Sequence, residues 1–337
     1  MLPTATLGRS GAAFTRLGLG TWAIGGPWRF GWGPVDDAES IAAIRRAVDA
    51  GINWIDTAAI YGLGHGEEIV GEALKGFAAG DELFVCTKCG RKTMPDGSPY
   101  GDLRPESIRE ECETSLRRLG VERIDLYQIH WPDPDGTTPL EESWSTMAQL
   151  VDEGKVRWIG VSNFDVEQLE RCEAIRHIDS LQPPLSMVQR RSLDDVIPWA
   201  AAHETGVIVY SPMASGLLTG SFDRGRLESL PADDMRLRRA EFTDPWLSRN
   251  LALVERLRAI ADELGCTLAE LAIAWALAQD GVTGAIVGAR RPDQLDGWIG
   301  AGHLELSDDV LRAIADAIAE TGAGPSERAT APRPSAT

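Results

Sequence analysis

Short apolar runs alternate with amphipathic segments along most of the chain. Short apolar runs bounded by glycine, proline or polar residues are typical of buried strands, and apolar residues at every third or fourth position are typical of helices. The pattern predicts strands at 17–22, 52–56, 83–88, 124–130, 156–162, 186–189, 207–210 and 283–287. It predicts helices at 37–50, 66–75, 104–120, 139–153, 165–172, 193–203, 246–264, 268–279, 292–301 and 307–319. Residues 5–8 and 13–17 predict a short hairpin before the first of these strands.

Regular alternation of strands and helices implies parallel strands joined by right-handed crossovers. An open doubly wound sheet and a closed (β/α)8 barrel both have this pattern. About eight strands in 337 residues fit the barrel, and no G-x-G-x-x-G motif opens the first helix. The sequence therefore predicts an α/β protein with a single (β/α)8 TIM-barrel domain over residues 1–321. The segment 322–337, rich in Gly, Pro, Ser, Thr and Ala, is predicted to be a disordered tail.

Polar residues or glycine follow most of the predicted strands, and in a barrel these strand ends share one rim. The residues at or just past the strand ends are Asp56, Lys88, His130, Ser162, Gln189, Tyr210 and Gly288. Tyr61 follows Asp56 by five residues in a glycine-containing loop. Other histidines lack such a context, and we interpret them as surface or structural residues.

An aspartate, a tyrosine, a lysine and a histidine at one rim form a proton-transfer group. A free tyrosine has a pKa of about 10, and a nearby ammonium is expected to lower it. Asp56 can hold Lys88 charged beside Tyr61, and His130 can donate a hydrogen bond to a carbonyl oxygen. Such a site suits the addition of a proton to oxygen while a hydride reaches the adjacent carbon. Because no side chain supplies a hydride, a nicotinamide coenzyme is implied.

Composition and charge narrow the classes of function. A hydrophobic fraction of 43% and a charged fraction of 25% are ordinary for a globular protein. The net charge of −18 disfavours nucleic acid or an anionic membrane as the main partner. Neither a secretory signal nor a membrane-spanning run is predicted, and five cysteines disfavour a disulfide framework, so we expect a cytoplasmic protein. Cys86 and Cys89 match C-x-x-C, but without a second pair we interpret them as thiols beside Lys88 and expect no metal.

Several motifs in a specific order resemble the aldo-keto reductase family of NAD(P)H-dependent barrel oxidoreductases. The resemblance runs from Gly18 to about Ala319 and is nearest to the bacterial branch that includes general stress proteins. The motifs are Gly20-Thr21-Trp22, Asp56-Thr57-Ala58 with Tyr61-Gly62, Thr87-Lys88, Ile129-His130, Gly160-Val161-Ser162-Asn163-Phe164, Tyr210-Ser211-Pro212, Gly216-Leu217-Leu218-Thr219-Gly220 and Gly288-Ala289-Arg290.

The resemblance implies a role for each motif. Tyr61 would be the general acid, Lys88 and Asp56 would tune it, and His130 would orient the carbonyl. The hairpin would plug the barrel floor. The residues implied in coenzyme binding are Gly20, Thr21, Trp22, Asp56, Ser162, Asn163, Gln189, Tyr210, Ser211, Pro212, Met213, Gly216, Leu218, Gly220, Gly288, Ala289, Arg290, Arg291 and Gln294. Among them Ser162, Asn163 and Gln189 would bind the nicotinamide carboxamide, Tyr210 would stack on its ring, and 213–220 would cradle the pyrophosphate.

Coenzyme choice and substrate depend on neighbouring residues. Arg290 and Arg291 before a helix suit a 2′-phosphate, which favours NADPH over NADH. Tryptophans in predicted rim loops suggest an apolar or aromatic aldehyde or ketone. With the tyrosine, the expected substrate pocket comprises Trp22, Trp28, Trp32, Tyr61 and Trp131. The long segment 221–244 is predicted to be a lid over the coenzyme.

An alternative function stays open. Some barrels of this kind, such as potassium-channel β subunits, act chiefly as NADPH-binding partners of other proteins and turn over slowly. The intact set of Asp56, Tyr61, Lys88 and His130 favours an enzyme, and measured turnover would separate the two. A metal-dependent hydrolase is disfavoured because no strand carries His-x-His. A monomer acting on a small carbonyl compound is the default expectation.

Overall fold

The protein folds into a closed barrel of eight parallel strands with helices packed outside it. This computed structural model describes residues 1–28, 31–77, 83–94, 96–133, 135–232 and 234–324. Around the barrel the strands follow chain order, and the last pairs in parallel with the first. The predicted fold class is therefore confirmed, because each crossover returns the chain to the same end of the barrel.

The bounds of the strands and helices are as follows. The strands are β1 (Thr4–Thr6), β2 (Ala13–Thr15), β3 (Leu17–Gly20), β4 (Trp54–Asp56), β5 (Phe84–Cys89), β6 (Arg91–Thr93), β7 (Pro99–Gly101), β8 (Ile124–Ile129), β9 (Val156–Ser162), β10 (Ser180–Gln182), β11 (Gly206–Tyr210) and β12 (Gly284–Gly288). The helices are α1 (Asp37–Asp49), α2 (His65–Leu74), α3 (Pro105–Leu119), α4 (Leu140–Asp152), α5 (Val166–Glu173), α6 (Val196–Ala202), α7 (Arg224–Glu228), α8 (Trp246–Leu264), α9 (Leu268–Leu277), α10 (Asp293–Asp296) and α11 (Asp308–Thr321). The barrel excludes the antiparallel pairs β1–β2 and β6–β7.

The hairpin β1–β2 packs an aromatic side chain, Phe14, into one end of the barrel, as predicted. Phe14 stacks on Phe84 with ring centroids 4.8 Å apart and lies 5.2 Å from the ring of Trp54. Phe84 and Trp54 begin β5 and β4, so the plugged end is the amino-terminal one. The opposite rim, where the strands end, is the one that carries the polar residues. A second and larger core lies between the outward-facing strand residues and the helices.

The predicted strand at 186–189 is wrong. The sixth barrel strand is β10, Ser180–Gln182, which pairs with both β9 and β11. Ser186 and Gln189 instead exchange backbone hydrogen bonds with each other at 3.0 Å, as in a tight turn. Two prolines directly after Gln182 end the strand early, because proline cannot donate to the ladder. The longer apolar run beyond them gave the misleading signal.

Three other segments differ from the predicted pattern. The hairpin β6–β7 was not predicted, and the segment 221–244 contains the short helix α7 and two turns of 3-10 helix. The first residues of the predicted tail are packed: Ala323 is 2% exposed, and the backbone N–H of Gly324 donates to Asn250 at 2.9 Å. The rest of that tail, 325–337, lies outside the described residues.

Candidate active site

A buried ion pair joins the ends of β4 and β5. Lys88 Nζ donates to Asp56 Oδ1 at 2.5 Å and to the carbonyl oxygen of Thr57 at 2.9 Å. The side chains of Lys88 and Asp56 are 0% and 4% exposed. Buried charges are stabilised only when they are paired and hydrogen-bonded, and the second oxygen of Asp56 accepts from Gln182 Nε2 at 2.9 Å. The pair is therefore held in one geometry.

Tyr61 lies beside this pair, in the turn that follows β4. Lys88 Nζ is 5.3 Å from the centroid of the Tyr61 ring. The ring of His130 stands edge-on to the Tyr61 ring at 5.8 Å between centroids. Tyr61 is 9% exposed, so its hydroxyl group is largely removed from water. The structure thus brings together all four residues that the sequence predicted as a proton-transfer group.

Burial decides the protonation states in this group. It raises the pKa of Tyr61 above its ordinary value, and the Lys88 ammonium offsets only part of that rise. The expectation of a lowered tyrosine pKa is therefore wrong in its net direction. Burial is the largest single effect and would lower the pKa of Lys88, but Asp56 and Tyr61 together outweigh it, so the pKa of Lys88 lies above its ordinary value. Burial, with Lys88 and Arg91 nearby, holds the pKa of His130 well below its ordinary value. At neutral pH the site therefore holds a phenol, an ammonium and a neutral imidazole.

The turn after β3 is tied to β4 at the same rim. The backbone N–H and the hydroxyl group of Thr21 both donate to the carbonyl oxygen of Asp56, at 2.9 and 3.1 Å. Gly20 faces the barrel interior, where an added Cβ would lie 2.6 Å from Ile286. This contact explains why the position before Thr21 is a glycine.

A chain of hydrogen bonds links β9, β10 and β11 across the rim. Tyr210 OH donates to Asn163 Oδ1 at 2.7 Å, and Asn163 Nδ2 donates to Ser162 Oγ at 2.9 Å and to the His130 carbonyl at 3.0 Å. Ser162 in turn donates to the Gln182 carbonyl at 2.8 Å. The sequence pattern marks Gln189 here, but Gln182 is the residue that contacts both Ser162 and Asp56. The sequence pattern missed Gln182 because β10, the strand that it ends, has only three residues.

The loop after β11 has a run of left-handed backbone. Positive φ angles occur at Ser211 (59°), Ala214 (49°), Ser215 (55°) and Gly216 (92°). Left-handed turns can form concave anion sites, but here the N–H groups of Ala214 and Gly216 already donate to the carbonyl oxygens of Ser211 and Met213, at 2.9 and 3.1 Å. A Cβ at Gly216 would meet nothing within 4 Å, so the loop leaves room for a phosphate group at that position. The predicted members Pro212, Met213, Leu218 and Gly220 lie in or next to this loop, and Leu218 is fully buried with its backbone N–H donating to the Met213 carbonyl at 3.2 Å.

The predicted 2′-phosphate site after β12 is already engaged in protein contacts. The backbone N–H groups of Arg290 and Arg291 donate to Gln294 Oε1 at 2.7 and 3.2 Å. The Arg290 side chain donates to the carbonyl oxygens of Trp32 and Pro34. Arg291 is exposed and pairs with Asp293 at 3.1 Å. Gly288 and Ala289 lead into this cluster from β12, where Ala289 is buried.

Two of the tryptophans predicted for a substrate pocket, Trp22 and Trp28, pack against the cluster that contains Tyr61. The rings of Trp28 and Tyr61 lie 6.3 Å apart, and Trp22 contacts Trp32 edge-on at 5.0 Å. Trp131 follows His130 and is 40% exposed. The half of the rim that these tryptophans line is therefore apolar, whereas the half formed by β9, β10 and β11 is polar.

The segment 221–244 contacts both halves of the rim. Arg236 lies over the ring of Trp32 at 5.2 Å and is fixed by Asp234 at 2.7 Å. Arg239 donates to Ser215 Oγ at 3.1 Å within the left-handed loop. Position 233 is outside the described residues, and the contacts of Arg236 and Arg239 join the segment to the loops after β3 and β11.

The two cysteines of the C-x-x-C motif face opposite sides of β5. Cys86 belongs to the cluster inside the barrel, whereas Cys89 packs in the core outside it. All five cysteines are free thiols. No group of three or more potential metal-binding side chains occurs within the described ranges. Across the same ranges no helix combines the length and hydropathy that crossing a membrane requires.

Comparisons with known proteins agree with this architecture. The sequence model of the Aldo/keto reductase family matches residues 16–319. The chain is 38% identical over 288 residues to the aldo-keto reductase YhdN of Bacillus subtilis, which covers 85% of each chain. It is 35% identical to an Escherichia coli protein named NADH-specific methylglyoxal reductase, over 93% of this chain and 98% of the relative.

Solved structures give the same result. A glycerol dehydrogenase from Gluconobacter oxydans superimposes with a TM-score of 0.87 at 37% identity, covering 96% of this chain and 98% of the other. The holo form of an aldo-keto reductase from Bacillus halodurans superimposes with a TM-score of 0.76 at 25% identity, covering 94% and 96%. With a family match over nearly the whole barrel, the chain belongs to the Aldo/keto reductase family of oxidoreductases.

Proposed function

We propose that this protein catalyses the reversible reduction of aldehydes or ketones to alcohols, with NADPH as the coenzyme and Tyr61 as the general acid. The observation that supports this most is the buried Tyr61 hydroxyl group beside the Lys88–Asp56 pair and the ring of His130. A phenol kept protonated by burial is suited to give a proton to a carbonyl oxygen.

The residues of the site divide the work of proton transfer. A bound nicotinamide coenzyme would supply or accept the hydride. Tyr61 would donate its proton to the carbonyl oxygen and become a phenolate, which the neighbouring Lys88 ammonium stabilises. Neutral His130 would donate a hydrogen bond to the same oxygen and orient it. In the reverse direction the Tyr61 phenolate would accept the proton of an alcohol.

The coenzyme would lie across the polar half of the rim. Ser162, Asn163 and Gln182 would hydrogen-bond the carboxamide, the Tyr210 ring would stack on the nicotinamide, and the left-handed loop would hold the pyrophosphate. Gln182 replaces Gln189 in this assignment because it contacts Asp56 and Ser162 directly.

NADPH is proposed over NADH because two guanidinium groups stand at the end of β12. The Arg291–Asp293 pair is exposed, so water screens it and a phosphate can displace it. The Escherichia coli relative is named NADH-specific, so the preference must be measured on this protein. We expect a higher kcat/KM with NADPH and a loss of that advantage in Arg291→Ala. A native protein that favours NADH would overturn the assignment of Arg291.

A panel of carbonyl compounds tests the proposed reaction. Loss of NADPH absorbance would be followed with methylglyoxal, aromatic aldehydes and sugar-derived aldehydes, and gain of absorbance with NADP⁺ and glycerol. The names of the relatives motivate methylglyoxal and glycerol, and the aromatic walls motivate the aromatic aldehydes. We expect turnover with at least one class. Tight coenzyme binding without turnover on any of them would favour the alternative of a coenzyme-binding partner protein.

The segment 221–244 is proposed to be a lid over the bound coenzyme. Its contacts with Trp32 and Ser215 span the apolar and polar halves of the rim. We expect NADPH to slow proteolytic cleavage within this segment, and Arg239→Ala to reduce that protection because it releases the left-handed loop. Equal cleavage rates with and without NADPH would contradict the lid.

A further inference from the structure

A buried carboxylate behind the site connects the turn that carries Tyr61 to the strand that carries Lys88. Glu67 lies on α2, six residues after Tyr61, and is 0% exposed. Its Oε1 accepts from Thr87 Oγ1 at 2.7 Å, and its Oε2 accepts from Arg118 at 3.2 Å. Both carboxylate oxygens are thus satisfied, as burial of a charge requires.

Arg118 extends this connection to the turn itself. Its guanidinium group donates to the carbonyl oxygen of Leu63 at 3.4 Å. It also packs against Gly64 so closely that an added Cβ there would lie 2.2 Å from Arg118 Cζ. From the other side, an added Cβ at Gly62 would lie 1.8 Å from the carbonyl oxygen of Gly25. The turn is therefore clamped between two neighbours.

The turn needs such support because its backbone is unfavourable. Three successive residues have positive φ: Gly62 (59°), Leu63 (60°) and Gly64 (107°). For a residue with a side chain, the left-handed conformation is unfavourable because Cβ lies too close to the following carbonyl oxygen. Leu63 is also 56% exposed, so packing of its side chain offsets little of that cost.

Thr87 brings the second catalytic element into the same network. It directly precedes Lys88 on β5, and neighbouring strand residues face opposite sides of the sheet. Thr87 thus points outward to Glu67 while Lys88 points inward to Asp56. The Glu67 carboxylate on α2 is therefore hydrogen-bonded to β5, the strand that carries Lys88. Through Arg118 it is also connected to the turn that carries Tyr61.

We propose that Glu67 and Arg118 are positioning residues that fix the Tyr61 hydroxyl group against Lys88. This inference rests on the proposed function of Tyr61. Neither residue touches the reacting atoms, so each would act only through the placement of Tyr61. Replacing a buried ion pair by neutral groups of similar size is often tolerated by the fold, so the role can be separated from stability.

The test is a double variant, Glu67→Gln/Arg118→Met, made in the native chain and in Tyr61→Phe. We expect NADPH affinity to stay within twofold, because the hydrogen-bond partners of Glu67 and Arg118 are not among the residues assigned to the coenzyme. We expect kcat to fall by about 10- to 100-fold, since a displacement of about 1 Å can cost that much. In the Tyr61→Phe background the same changes are expected to cause no further loss. The matched control is Arg109→Met/Glu153→Gln, which neutralises a pair at 2.7 Å involving the same helix α3.

Two kinetic results would overturn the proposal. One is unchanged kcat in the folded double variant. The other is an equal loss with and without the Tyr61 hydroxyl group, which would mean a general structural effect. A further measurement does not depend on turnover, so it tests the positioning role even if the proposed reaction is wrong. It is the ultraviolet titration of Tyr61, measured as the difference between the native protein and Tyr61→Phe. We expect Tyr61 in the double variant to titrate at higher pH, because Lys88 no longer stabilises its phenolate. An unchanged titration would contradict the positioning role of Glu67 and Arg118 even if no carbonyl substrate is found.

Discussion

Two opposing effects act on the hydroxyl group of Tyr61. Removal from water favours the neutral phenol, and the ammonium of Lys88 favours the phenolate. Burial dominates, so the pKa of Tyr61 is raised. The same environment keeps the pKa of His130 well below its ordinary value. These shifts support the proposal that Tyr61 donates the proton and that neutral His130 donates a hydrogen bond.

This assignment predicts the pH dependence of the reaction. The proton donor is present below the pKa of Tyr61 and is lost above it. With saturating substrate and coenzyme, we expect kcat for reduction to be constant through neutral pH and to fall only above about pH 10. Oxidation of an alcohol should instead rise toward alkaline pH, because it uses the phenolate. A fall in reduction with a midpoint near 6.5, the ordinary value for histidine, would contradict the assignment.

Among the elements, β3 and β4 pack with no spare space between them. An added Cβ at Gly18 would lie 2.2 Å from the Trp54 ring, which is fully buried and donates from Nε1 to the Thr15 carbonyl at 2.8 Å. The missing side chain at Gly18 leaves the room that the indole fills. The Trp54 ring in turn forms part of the layer beneath Asp56, so this contact supports the site from below.

Gly18→Ala is therefore expected to destabilise the barrel. Overpacking a core typically costs about 1–3 kcal/mol, and the free energy of unfolding from urea denaturation measures it. Gly297→Ala is the matched control, since an added Cβ there meets only an ordinary contact at 3.6 Å. Equal stability of the two variants would show that the Trp54 ring adapts without cost.

Elements also show where the sequence pattern was sufficient and where it failed. The helix at 246–264 and the strand at 156–162 have the predicted bounds, because each has a long periodic pattern and clear end signals. The strand β10 has three residues and is followed by two prolines, so no period could be recognised. Because β10 was not predicted, Gln182 was not recognised as a residue of the site. Its contact with Asp56 joins residues 126 positions apart in the sequence.

For the whole molecule, the alternation of strands and helices was enough to predict the closed barrel and the rim that carries the polar residues. The four proton-transfer residues were recognisable because each lies at or after the end of a strand, and all strand ends meet at one rim. The partners of Arg290 were not predictable. Its guanidinium group contacts the carbonyls of Trp32 and Pro34, which depend on how distant loops meet. The burial that raises the pKa of Tyr61 is likewise a property of the assembled rim.

The measurement that tests the central claim most directly is a single turnover of NADPH with a carbonyl substrate, in the native protein and in Tyr61→Phe. The variant removes one oxygen atom and keeps the ring that packs between Trp28 and His130. We expect coenzyme affinity to be retained and the rate of NADPH oxidation to fall by about 10²- to 10⁴-fold, as loss of a general acid requires. A variant that oxidises NADPH at the native rate would contradict the assignment of Tyr61 as the proton donor.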